Sequence, residues 1–144
     1  MSFLEFIRNC KKYPQRIRYK GTILFVSYEQ YKKLSDFALK WELNYKDVRY
    51  FLKKEGIYLD KSFSENSLFI SWQKGDTNLL INNVDLVLSG LDKNRRVRFF
   101  QGFLKREFLN LIVLPVLIFQ DEANKGYEQG HGRIFSLGGE NETL

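Results

Sequence analysis

The chain has 144 residues, a size that suits one domain able to bury a core without staples. Its 23 Lys and Arg outnumber 17 Asp and Glu, and the formal charge of +6 favours an anionic partner such as nucleic acid. Cys10 is the sole cysteine and His131 the sole histidine, which excludes a disulfide framework, a zinc knuckle or a cysteine-ligated iron–sulfur cluster within the chain; no metal or other cofactor is expected.

Taken in order, Phe3, Leu4, Phe6, Ile7 and Cys10 recur at helical spacing until Tyr13-Pro14, and no basic segment leads into a long apolar one as a secretory signal requires. A cytoplasmic location is expected. Arg16–Lys20 and Thr22–Val26 flank Gly21 as a strand pair or one bent strand. Ser27-Tyr28-Glu29-Gln30 is a capping box that opens an amphipathic helix running to Trp41, and a second helix is expected from about Tyr45 to Lys54, with Gly56 as its C-terminal cap. Ile57–Leu59 and Leu68–Trp72 suggest a hairpin around a polar loop, followed by a turn at Gln73–Asp76.

A third helical region begins near Asn83, breaks around Gly90-Leu91-Asp92 and resumes through Phe99, Phe100, Phe103, Leu104 and Phe108. The apolar run 108–119 is too short to span a bilayer and carries Pro115, so it is read as core and no membrane partner is expected. After Gln120 the glycines imply loop, with a flexible polar tail from about residue 136. The fold class expected is mainly α: a single compact helical domain, 1–144, with one or two small β-hairpins.

Three segments carry candidate chemistry. In a helix-turn-helix reading, Asn44, Tyr45, Lys46, Arg49, Tyr50 and Lys53 face outward on a recognition helix and the following hairpin forms a wing. The basic cluster Lys93, Arg95, Arg96 and Arg98, followed by Lys105 and Arg106 with Phe99, Phe100 and Phe103 interleaved, offers cations, chiefly guanidinium groups, for phosphates. Glycines in 125–133 let backbone amides approach an anion beside Lys125, His131 and Arg133. No catalytic residue is indicated, since no nucleophile stands at a recognisable spacing from His131 and no Gly-x4-Gly-Lys loop occurs.

Lys20–Ser27, Leu91–Lys105 and Asn124–Tyr127 running into Gly132–Gly138 resemble, in the same order, parts of the C-terminal domain of the large, non-catalytic subunit of DNA primase. The four cysteines that hold that domain's cluster are missing here, which fits the small third subunit of some archaeal primases. The resemblance implies that Arg95, Arg96 and Arg98 hold the triphosphate of an initiating nucleotide and that Lys125, Tyr127 and Arg133 line the same site. It also implies the catalytic and large primase subunits as partners, with nucleic acid or nucleoside triphosphate as ligand, and a role in primer synthesis during DNA replication. The alternative is a stand-alone winged helix-turn-helix regulator that reads DNA through Asn44, Tyr45, Lys46, Arg49 and Lys53.

Overall fold

The structure, a computed structural model, describes residues 1–75, 78–128 and 132–137. Its centre is a five-stranded sheet, all parallel, in the order β2-β3-β4-β1-β5. The strands are β1 (Thr22–Val26), β2 (Asn44–Asp47), β3 (Leu79–Asn82), β4 (Asn110–Pro115) and β5 (Arg133–Leu137). This overturns the expectation of a mainly α domain with small hairpins: the protein is an α/β fold.

The reason lies in burial on both faces. Strands β1, β3 and β4 are nearly continuous apolar runs, because a parallel sheet covered on both sides has no solvent face to demand alternation. Ile23, Phe25, Ile81, Ile112 and Leu114 point into one apolar cluster, and Leu24, Val26, Leu80, Leu111 and Val113 into the other.

The second cluster is closed by α1 (Phe3–Lys12) and α3 (Leu34–Lys40) through Phe3, Phe6, Ile7, Leu34 and Phe37. Ser2 caps α1 in a reciprocal box with Glu5, which explains why so short an amphipathic helix starts where it does. The first cluster is closed by α4 (Val48–Glu55), α5 (Glu65–Ser71), α6 (Asp85–Leu88), α7 (Lys93–Leu104) and α8 (Gln120–Glu128), with Trp72, Phe99 and Phe103 fully buried between them. Trp72 meets both phenylalanines edge-on, a favourable aromatic geometry.

Several expectations change with this topology. The helix expected from Tyr28 to Trp41 is two pieces, α2 (Tyr28–Tyr31) and α3, separated at Lys32-Lys33. Residues Asn44–Asp47 form an edge strand paired with β3, so no recognition helix begins at Tyr45; α4 starts only at Val48. Leu68–Ser71 belong to α5 and Ile57–Leu59 pair with nothing in the sheet, so no hairpin wing forms among the described residues. The segment after Gln120 is helix and strand, with Ser136 and Leu137 inside β5 rather than in a tail; 138–144 lie outside the described residues, as does Asp76 of the expected turn. Among the described residues no helix is long and apolar enough to cross a membrane.

The chain leaves β1 for β2 with α2 and α3 on one face, then works back through β3 and β4 and across β1 to β5 with α4 to α8 on the other. Reversing the direction of travel while keeping one crossover hand requires this change of face. Strands β1 and β4 are therefore neighbours whose outgoing connections part to opposite sides, and a crevice opens beyond their carboxyl ends.

Candidate ligand site at the carboxyl edge of the sheet

The crevice is lined by Val26 at the end of β1 with Ser27, Tyr28 and Tyr31 beyond it, and by Pro115 at the end of β4 with Val116 beyond it, and encloses about 340 Å³. Its walls follow from local chemistry. Ser27 ends β1 and caps the next turn, its Oγ accepting from the Gln30 backbone N–H at 3.4 Å, and this aims Tyr28 and Tyr31 along the sheet edge. Tyr28 is 75% exposed, with Lys32 Nζ 4.6 Å above its ring. On the β4 side, Val116 N donates to Val26 O at 3.1 Å, and the chain then turns through Leu117 and Phe119 at φ +70° and +57°. Left-handed backbone at two bulky residues is costly and marks a loop held by its surroundings.

A polar network continues the site along β3 and β2. Asn82, the last residue of β3, accepts the Asn83 N–H through Oδ1 at 2.8 Å. That bond fixes which end of its amide is the donor, and Nδ2 donates to the hydroxyls of Tyr31 and, at 3.1 Å, Tyr45. Asn83, itself left-handed at φ +62°, donates to Asp47 Oδ2 at 2.5 Å. Asp47 also accepts from Arg49 Nε at 2.9 Å and Nη2 at 2.8 Å. The Arg49 bonds hold the Asp47 carboxyl well below the usual carboxylate range, so it serves as a fixed negative charge and a poor proton acceptor. Burial, reinforced by neighbouring Tyr31, pushes the Tyr45 phenol up to about 12 and keeps it a neutral hydroxyl.

The residues singled out from sequence are dispersed by the fold. Arg95 donates to Phe63 O at 2.9 Å and approaches Glu65 at 3.7 Å. Arg96 pairs with Glu122 at 2.8 Å, donates to Leu91 O at 2.5 Å and stacks on Phe119 at 4.6 Å. Both guanidinium groups therefore tie α7 to its neighbours, whereas Lys93 and Arg98 are exposed. Lys125 and Tyr127 are exposed on α8, which lies along α7 with Gly126 against Phe100.

Arg133 opens β5 at the opposite, amino edge, so it does not join Arg95 and Arg96 in one pocket. His131 lies outside the described residues. Of the other set, Tyr45 and Arg49 belong to the carboxyl-edge network; Asn44 starts β2, Lys46 covers the Tyr50 ring at 4.4 Å, and Lys53 is exposed on α4.

Sequence reasoning passed over Asn82, Asn83 and Asp47, and gave Ser27 only a capping role. The available signal was an apolar run, Leu79-Leu80-Ile81, ending in two adjacent asparagines, a residue type that tolerates left-handed backbone and hydrogen-bonds in turns.

Among the described residues no group of three or more His, Cys, Asp or Glu is placed to hold a metal ion. No family model matches the chain, and no curated protein and no solved structure resembles it to a significant degree.

Proposed function

We propose that this chain binds, without turning over, a ligand with a planar ring and a polar edge, of the nucleotide class, in the carboxyl-edge crevice. The observation that carries the reading is the position of that crevice, where the connections after β1 and β4 part. The ring lies against Tyr28 and Tyr31, Lys32 faces its anionic part, and the Asn82 network keeps the Tyr31 hydroxyl in place.

The test is ligand-observed NMR with nucleoside mono- and triphosphates and a short single-stranded DNA. Binding by one of them that drops about tenfold in Tyr28→Ala and in Tyr31→Ala, the loss of a stacking face, supports the reading. A panel in which nothing binds, or in which both variants bind as the parent does, overturns it.

A narrower form of this proposal is an accessory subunit of a DNA primase, working in the cytoplasm. Exposed Lys93 and Arg98 on α7 and exposed Lys125 on α8 favour it, because they leave cations available to phosphates. Capture of a nucleotidyltransferase from cell extract, with stimulation of primer synthesis that fails in Lys93→Ala/Arg98→Ala, is the expected outcome. No effect on any purified primase core sinks it.

A further inference from the structure

At the other end of the sheet, the loop between α7 and β4 holds Arg106 in an unusual state. Its backbone is pinned, the carbonyl accepting from Lys20 N at 2.7 Å and Gly21 N at 3.3 Å. Its side chain is only 8% exposed and crosses above the rings of Phe69 and Phe108 at 5.4 and 5.9 Å. Nε donates to Asn110 Oδ1 at 2.7 Å, while Nη2 is buried with no hydrogen-bond partner. No carboxylate among the described residues stands within ion-pair distance of it.

A buried guanidinium without a counter-charge is costly, and burial alone pushes its pKa down to about 10, which still leaves it cationic at neutral pH. The side chain lines a cavity of about 430 Å³ together with Arg18, Tyr19, Lys105, Glu107 and Phe108. The carboxylate in that lining, Glu107, is already engaged by Arg18 Nε at 2.8 Å, while Lys20 Nζ donates to the Glu107 backbone carbonyl at 3.1 Å. Three cations there face one carboxylate.

We propose that this amino-edge cavity is an oxyanion site that takes a phosphate group, with Arg106 as its buried anchor and Lys105 at its mouth. A phosphate supplies the negative charge the cavity lacks beside a buried, unpaired guanidinium, and the planar guanidinium is the side chain best shaped to grip it. The site goes beyond the crevice reading and does not depend on it, since the two lie at opposite ends of the strands.

The experiment is thermal unfolding of the full chain against inorganic phosphate, with sodium chloride at matched ionic strength as control, and in parallel against a short oligodeoxynucleotide without terminal phosphates. The unfolding temperature should rise saturably with at least one of them, the responding probe assigning the source as free phosphate or strand phosphodiester. Arg106→Met should abolish the rise, and Lys105→Ala, at an exposed position, should weaken the apparent affinity severalfold if the first variant folds poorly. A parent response no larger than that to chloride overturns the proposal. So does a saturable rise that survives in Arg106→Met or is unaltered in Lys105→Ala.

Discussion

The two ends of the sheet solve opposite problems. At the carboxyl edge the buried polar atoms of Asn82, Asn83 and Asp47 are partnered in a relay that leaves neighbouring tyrosines half-exposed. At the amino edge backbone meets backbone so closely at two glycines that no side chain fits there: a Cβ on Gly21 would stand 2.0 Å from Phe103 O, and one on Gly132 would stand 2.2 Å from Gly21 O. One edge is built from satisfied side chains, whereas the other combines close main-chain contact with one unsatisfied cation. Ligand exchange suits the first, and a fixed anion suits the second.

Substitution separates these descriptions. Gly21→Ala should have the largest effect, a loss of about 3 kcal/mol or more by urea denaturation, because rigid backbone must move to admit the methyl group. A loss under about 1 kcal/mol would show the amino edge to be as compliant as the other. Asn82→Ala removes the donor to the Tyr31 and Tyr45 hydroxyls and the acceptor of the Asn83 N–H, and should cost about 2 kcal/mol on the same assay.

The pH dependence gives a smaller effect with a defined sign. The Asp47 carboxyl titrates lower in the folded chain than in the unfolded one, so its contribution is complete above the ordinary carboxylate range and is lost as pH falls through the folded value. Asp47→Asn should therefore lose about 1 kcal/mol or less at pH 7, since its partner Arg49 is largely exposed, and the difference should shrink below about pH 4. A difference that grows in acid would contradict the assignment. Smallest of all, Arg106→Met in phosphate-free buffer should leave stability unchanged or slightly higher, because it removes a buried charge without breaking an ion pair. A large loss would mean that the Asn110 bond and ring contacts outweigh the unpaired charge.

What could be read beforehand was local. The opening helix, β1, the Ser27 cap and the left-handed Gly56 at the end of α4 all carry their cause within a few residues. The sheet could not be read in the same way. β2, Asn-Tyr-Lys-Asp, has no strand signature and is extended because β3 pairs with it. The runs that became β3 and β4 lack alternation because both their faces are covered, and Leu68–Trp72 is too short an apolar run for its period to distinguish helix from strand. With the strands misread, the positions that gain meaning from strand ends were invisible. Asn82 and Asp47 are unremarked polar residues until β2 and β3 run side by side in the same direction, and Arg95 and Arg96 look free until Phe63 and Glu122 fold against them.

The place of β1 in the sheet also sets an order of events during synthesis. Thr22 pairs with Leu111 on one side and Arg133 on the other, so this interior strand, though made before the other four, has no partner until the chain has passed residue 110. Until then only β2 and β3 can pair, and the apolar Ile23-Leu24-Phe25-Val26 must be kept from competing strands. The fold is committed late, by its last third, and a nascent chain stopped short of β4 exposes a ready edge for aggregation or for a chaperone.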